Sequence, residues 1–359
     1  MIEAIEVDFL PVGAGEHSGD AIAVRWKENG EIKILVYDGG TDQYGKALVA
    51  HVREHFGTNV VDFVVNSHPD NDHAGGLAFV LTEMEVRELW LHRPWTRSAE
   101  IRRYFHDGRI TDESLARRLQ QKMSAAYELE QIATELNIPI REPFAGEKIG
   151  IFDVLSPGED RYVHELIPEF EKSPELKEAK SFIDAATSVI KAAASFVADL
   201  WNEEYLPESV ATSAENESSA ILYATTPFGG YLLTGDAGIQ SLRAAADYAT
   251  ARGIDVLGDL HFAQIPHHGG RNNVSTDTLN LLMGLPGGDR DAPTTKHAFV
   301  SAAALAPKHP KRVVTNAFAR RGFKVTQTKG QTINLARQFP GRAGWSAAPS
   351  VPFYDEVEE

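Results

Sequence analysis

Asn66-Ser67-His68-Pro69-Asp70-Asn71-Asp72-His73-Ala74-Gly75-Gly76 is the stretch whose reading decides the fold. Two histidines and two carboxylates fall within six positions, straight after the apolar run Val61-Asp62-Phe63-Val64-Val65 and straight before two glycines and a helix-like segment. The pattern is strand, polar turn, helix. Side chains that converge from a rigid strand end are what a divalent metal site requires.

Two further strand ends carry the same kind of residue. Tyr231-Leu232-Leu233-Thr234 runs into Gly235-Asp236, and Phe262-Ala263-Gln264-Ile265 runs into Pro266-His267-His268-Gly269-Gly270. A Gly-Asp turn alone is usually structural, since Asp closes turns on its own backbone. Three clusters of imidazole and carboxylate, each after a short apolar strand, supply the ligands that first-row divalent cations prefer.

The rest of the chain alternates strands and helices, an α/β pattern. Strands read at Ile5 to Leu10, Ala21 to Trp26, Lys33 to Tyr37, Val86 to Leu91, Gly150 to Ser156, Ala220 to Tyr223, His297 to Ala303 and Lys324 to Thr328. Helices read at Lys46 to His55, Ile239 to Ala251, Thr276 to Met283 and Pro310 to Arg321. Thr111 caps a helical face formed by Leu115, Leu119, Met123, Ala126, Leu129, Ala133 and Leu136. From Pro174 to Tyr205 the spacing of Phe182, Ala186, Val189, Ala193, Phe196 and Leu200 predicts one long amphipathic helix, with its own domain, a lid or a second copy as the surface it covers.

Composition narrows the function. The chain has 359 residues and a net charge of −16, which opposes non-specific attachment to nucleic acid backbones and to anionic membranes. It has no cysteine, so any metal is held by His, Asp and Glu. No apolar run approaches membrane-spanning length. The acidic start Met1-Ile2-Glu3 lacks a signal-peptide pattern, and the expectation is a cytoplasmic protein with no membrane partner.

His68-Pro69-Asp70-Asn71-Asp72-His73 followed by Ala74-Gly75-Gly76 resembles the histidine signature of the metallo-β-lactamase superfamily. Thr234-Gly235-Asp236 is similar to its bridging-aspartate motif, and Pro266-His267-His268-Gly269 to its last histidine motif. The subgroup it resembles most is the hydrolase domain of competence-type DNA-uptake proteins, where Gly19-Asp20-Ala21-Ile22, Asp38-Gly39-Gly40, Glu217 to Leu222 and His309-Pro310 also find counterparts. The resemblance implies a four-layered αββα sandwich spanning residues 1–340 as a single domain. Helical insertions would fall at about 97–137 and 161–207, and residues 341–359, rich in Pro, Gly, Ala and acid, would form a C-terminal tail.

The same resemblance implies two divalent cations, Zn²⁺ or Mn²⁺. Asp72, His73 and His268 would hold one, His68 and Asp70 the other, with Asp236 bridging. Catalytic roles would fall to Asp70, Asp72 and His267, with His267 facing substrate or supporting the ligands. His17, Ser218, Arg271, Asn272 and Ser275 are candidate substrate-positioning residues. The chain departs from the pattern in two places: Asp70 stands where an imidazole is usual, and a further histidine expected before the Gly-Asp turn is replaced by Asn216, Ser218 or Ser219.

The implied chemistry is hydrolysis of a phosphodiester in a nucleotide, oligonucleotide or DNA by a metal-bound hydroxide. Alternatives are a dimetal hydrolase of another ester, lactone or β-lactam bond, or a regulatory or binding module that kept the fold. The long helical insertion is the expected homodimer surface.

Overall fold

The computed structural model describes residues 1–15, 17–105, 108–170, 196–201, 203–287, 290 and 293–358. Strands β1 (Ile2–Phe9), β2 (Ala21–Glu28), β3 (Glu31–Gly39), β4 (Val60–Val65), β5 (Glu85–Trp90) and β6 (Ile140–Arg141) cross the first sheet in order. Then follow β7 (Lys148–Ile149), β8 (Phe152–Ser156), β9 (Phe196–Ala198), β10 (Ile221–Thr226), β11 (Gly229–Leu233), β12 (Leu260–Gln264), β13 (Lys296–Val300) and β14 (Phe323–Gln327). Except for β9, these form a second sheet in the order β14-β13-β12-β11-β10-β8-β7. β15 (Ile333–Arg337) returns to the first sheet beside β1, and β16 (Glu356–Glu358) pairs with β9.

Each sheet has the same internal plan. Antiparallel hairpins, β1–β2–β3 in one and β7–β8–β10–β11 in the other, give way to parallel strands reached by helical crossovers. The parallel strands end on one side, and in open α/β sheets that carboxyl edge is where ligands bind.

Three separate apolar layers show how the sheets stack. Ile5, Val7, Phe9, Trp26, Leu35 and Tyr37 of the first sheet meet Phe152, Leu222, Tyr231, Phe262 and Phe299 of the second in a shared core. Phe9 lies edge-on to Phe262 at 6.0 Å and to Phe299 at 5.5 Å between ring centroids, and Tyr37 donates across the gap to the carbonyl of Ala220 at 2.8 Å. A second layer covers the outer face of the first sheet with helices Asp42–His51, Leu77–Glu83, Asp112–Lys122 and Ser124–Glu135. A third covers the other sheet with helices Ile239–Arg252, Thr276–Met283 and Arg312–Arg320. The result is the four-layered αββα sandwich.

The helical face read from Leu115 to Leu136 is broken into two helices at Met123, whose backbone leaves the helical region at φ −107°, ψ 46°. The break lets Asp112–Lys122 and Ser124–Glu135 take different angles while Leu115, Leu119, Met123, Ala126, Leu129 and Ala133 all stay buried; Leu136 is exposed. Thr111 caps as expected, accepting from Ser114 N at 3.1 Å.

Of the long helix predicted from Pro174 to Tyr205, residues 174–195 lie outside the described residues. Its last part is not helical: Phe196–Ala198 is strand β9. The backbone here is claimed by other segments: β9 pairs with β16, Asp199 N donates to Asp355 O at 2.9 Å, and the buried guanidinium of Arg320 takes the Asp199 carboxylate at 2.7 Å and the carbonyls of Leu200 and Trp201 at 2.7 and 3.0 Å. Carbonyls committed to Arg320 are withdrawn from helical pairing.

The segment beyond residue 340 packs closely against the sandwich. Arg342 reaches the buried carboxylates of Glu6 and Asp8, Val351 N donates to Val325 O at 2.8 Å, and Val357 is buried. Among the described residues, no helix is long and apolar enough to cross a membrane.

Candidate metal centre

The carboxyl ends of β3, β4, β11 and β12 meet at one point between the sheets. β3 contributes Asp38, the turn after β4 contributes His68 to His73, the turn after β11 contributes Asp236, and the turn after β12 contributes the histidine pair. Gly76 has no room for a side chain: a Cβ there would lie 2.0 Å from Gly39 O, so the glycine lets the helix after the motif abut the β3 turn. His267 and His268 both adopt left-handed backbone, at φ 48° and 55°, a strained state for residues other than glycine. Backbone bonds hold it: His267 N donates to Gly235 O at 3.2 Å, and Lys311 N to Gly269 O at 3.0 Å.

Ligand atoms of His68, His73 and Asp236 lie within 4.8 Å of one another, as do those of Asp72, His73 and His268, and those of Asp20, Asp236 and His268. Asp236 Oδ2 is the hub, 3.4 Å from His73 Nε2, 3.8 Å from His268 Nε2 and 3.9 Å from His68 Nε2. His68 Nε2, His73 Nε2, both ring nitrogens of His268 and Asp236 Oδ1 are buried without a hydrogen-bond partner. Buried polar atoms are nearly always paired, and here the orphan Nε2 atoms of three histidines converge on Asp236 Oδ2. Imidazole nitrogen and carboxylate oxygen in that arrangement fit a divalent cation.

The second layer of polar groups fixes which nitrogen each histidine presents. Asp38, fully buried, accepts from Ser67 N at 2.7 Å, Ser67 Oγ at 2.6 Å and His73 Nδ1 at 2.8 Å. Because the Ser67 hydroxyl donates its one hydrogen to Asp38, its oxygen accepts from His68 Nδ1 at 2.9 Å. Both histidines therefore carry their proton on Nδ1 and turn a bare Nε2 into the cluster. One carboxylate orients two rings.

Charge follows the same logic. Burial opposes an imidazolium at His73, yet the Asp236 and Asp38 carboxylates raise its pKa well above the usual value. Burial likewise disfavours charge on Asp236, but His73, His267 and His268 hold its pKa well below the carboxylate range. Asp20 is pushed up, by burial first and with Asp236 acting in the same direction. It accepts from Gln264 Nε2 at 2.9 Å, and the Gln264 oxygen takes the amides of Thr234 and Gly235, so the β11 turn is tied to Asp20.

The sequence-predicted residues divide clearly. His68, Asp72, His73, Asp236 and His268 are brought together. Asp70, about one-third exposed, lies 3.7 Å from His68 Nε2 at the edge of the cluster. His267 places Nδ1 3.6 Å from Asp236 Oδ2, but that nitrogen is met by the amides of Asn216 at 2.7 Å and Asn273 at 3.1 Å. His17 is exposed in the β1–β2 loop, and Arg271 and Asn272 lie on a short turn at the surface edge of the site.

Two of the candidate substrate-positioning residues are buried and engaged within the chain. Ser218 is fully buried and spends its hydroxyl on Glu215 O at 2.6 Å. Ser275 is buried as the cap of helix Thr276–Met283, in a reciprocal box with Thr278. Sequence reasoning assigned no role to Asp20, Asp38 or Asn273. A signal existed for the first two, since each is an aspartate beside glycine at a strand boundary, like Asp236.

No family model matches the chain, and no curated protein sequence matches it. Among solved structures it is similar to Tm1679, a metal-dependent hydrolase of the β-lactamase superfamily, at 11% identity and TM-score 0.41, covering 92% of this chain and 98% of that one. It is similar to the metallo-β-lactamase fold protein YhfI from Bacillus subtilis at 11% identity and TM-score 0.40, covering 93% and 100%. A metallo-β-lactamase family protein from Thermus thermophilus gives 15% identity and TM-score 0.29 over 68% of each chain. Likenesses this distant assign no activity.

Proposed function

We propose that this protein is a metal-dependent hydrolase of the metallo-β-lactamase type, acting on a phosphodiester in a nucleotide, oligonucleotide or other small substrate. The observation that carries the reading is the convergence of the buried, partnerless Nε2 atoms of His68, His73 and His268 on Asp236 Oδ2 at the carboxyl ends of the strands. Asp72, His73, His268 and Asp236 would hold one cation, with Asp20 beside them; His68 and Asp236, with Asp70 at the rim, would hold the other. When bound, divalent cations supply Lewis acidity toward water and toward phosphoryl oxygen. The chain's own residues set which histidine nitrogens face the ions, keep the ligands dry and leave Asp70 and His267 at the open side.

The net charge of −16 supports a small or single-stranded substrate over long duplex DNA, whose binding relies on Lys and Arg. A cytoplasmic location and a homodimer formed through residues 161–207 complete the proposal. The test is purified protein reloaded with Zn²⁺ or Mn²⁺, checked for metal content, and offered bis-p-nitrophenyl phosphate, cyclic dinucleotides, DNA and a panel of lactones and β-lactams. Turnover of a phosphodiester is expected. Turnover confined to the panel, or none at confirmed occupancy, refutes the phosphodiesterase reading.

A further inference from the structure

His267 differs from His68 and His73, whose Nδ1 atoms face acceptors, because its own Nδ1 faces amide hydrogens. Nδ1 faces Asn273 Nδ2 at 3.1 Å and Asn216 Nδ2 at 2.7 Å. The orientation of the Asn273 amide is settled by its other partners: the same Nδ2 lies 2.9 Å from Asp236 O and 3.3 Å from Ala237 O. Backbone carbonyls only accept, so Asn273 presents hydrogens on this side and His267 Nδ1 is the acceptor. Asn273 is 2% exposed, leaving its side chain no space to swing.

A neutral imidazole that accepts at Nδ1 carries its proton on Nε2. The His267 side chain is 33% exposed, and with Nδ1 turned inward toward Asn273 and Asp236, the open edge is the Nε2 edge. Such a ring is a poor metal ligand, since one nitrogen's lone pair is occupied and the other bears hydrogen. His268, with both nitrogens partnerless, is placed for that role.

We propose that His267 is a rigidly held Nε2–H donor that receives a negatively charged substrate oxygen beside the metal cluster, with Asn273 as the positioning residue that locks its tautomer. The inference rests on the hydrolase reading and deepens it: the substrate must present an oxyanion, phosphoryl or carboxylate, at the His267 side of the cluster. A donor preorganised at developing charge contributes about 100-fold to 1,000-fold in kcat in comparable sites.

Two experiments test it, and only one needs turnover. In metal-loaded protein with ¹⁵N-labelled histidine, long-range ¹H–¹⁵N spectra should show His267, assigned by its loss in His267→Gln, as the Nε2–H tautomer. Asn273→Asp, which turns an acceptor toward Nδ1, should convert it to Nδ1–H. A metal-bound or Nδ1–H pattern in the unaltered protein overturns the proposal. The second experiment measures inorganic phosphate binding and kcat at confirmed metal content. His267→Ala should keep its metal, bind phosphate about 10-fold more weakly and, where turnover is measurable, lose about 100-fold in kcat, with His267→Gln, whose amide also donates, intermediate. Loss of metal from His267→Ala, or unchanged phosphate affinity, overturns it. If the unaltered protein hydrolyses nothing, the hydrolase reading fails while the tautomer and phosphate results still decide the role of His267.

Discussion

Asp38→Asn is the perturbation that tests the architecture of the metal centre most directly, because Asp38, outside the proposed ligand set, controls two of its members. Its Oδ1 accepts from Ser67 N, and its Oδ2 accepts from Ser67 Oγ and His73 Nδ1. Asparagine can keep the first bond with its oxygen, but then points an NH₂ group at two donors. His73 must either lose that bond or move its proton to Nε2, the nitrogen that faces Asp236. The Ser67 hydroxyl, no longer drawn to a carboxylate, is released to donate toward His68 Nδ1, so the second ring is disturbed as well. Loss of a hydrogen bond to a charged partner costs about 1.5–3 kcal/mol, and loss of such an orienting group typically weakens metal binding by about 10–100-fold; the two ranges agree. The assay is competition against a fluorescent chelator, with circular dichroism to confirm that the metal-free variant is folded. The stabilisation that saturating metal gives in thermal melts should shrink accordingly. A folded Asp38→Asn protein that binds Zn²⁺ as tightly as the unaltered chain refutes the account of how the histidines are oriented.

Two further predictions concern the neighbourhood of the centre. His92 follows β5, stacks on Tyr162 at 4.4 Å and has both ring nitrogens buried without partners; burial first, then the Arg97 charge, pushes its pKa down to about 3. A histidine whose folded value lies below its unfolded value of about 6.5 costs stability as pH falls from 6.5 toward 3, about 1.4 kcal/mol per unit, or roughly 2.7 kcal/mol by pH 4.5. Urea unfolding at pH 7 and 4.5 should therefore show a smaller acid loss in His92→Phe than in the unaltered protein, and parallel losses would contradict this. At the cluster itself, His73 belongs to several ligand groups, whereas Asp70 sits at the rim beside His68 and falls in none of those groups. After reconstitution, metal analysis should find His73→Ala stripped of tightly bound metal and Asp70→Ala retaining one ion while its affinity for the second falls at least about 10-fold; equal losses in both would exclude the asymmetry.

What was legible in the sequence is what lies contiguous in it. His68 to His73 announce themselves because a strand, a turn and a helix start place four candidate ligands within six residues, and Asp236 and the histidine pair repeat the strand-then-turn pattern. The sheets could be read for the same reason, since alternation and turn residues are local signals. Asp38 was visible only as a turn residue, because its role depends on register: parallel pairing sets Tyr37 opposite Val65, which brings the next residue, Asp38, to the Ser67 amide. Asn273 is hidden more deeply, since its amide is oriented by carbonyls of a turn some 36 residues away in the chain. The helix predicted through Phe196 to Leu200 failed for a related reason, as a stripe of apolar residues says nothing about a distant strand and arginine that will claim the backbone.

The charge balance of the cluster joins these observations. Asp20, Asp38 and Asp236 are buried within reach of His68, His73 and His268, and Asp72 stands half-buried beside them. With the three imidazoles neutral, as their shared orientation toward the cluster demands of ligands, that is a surplus of carboxylate in a low-dielectric site, which is costly unless cations or protons offset it. The carboxylates that pull His73 up against its burial, and the burial and Asp236 charge that push Asp20 up, express the same potential. Protons and divalent cations are thus competitors for the same negative potential, and the site that Asp38 orders by hydrogen bonds is also one that the surrounding carboxylates make attractive to a cation by charge.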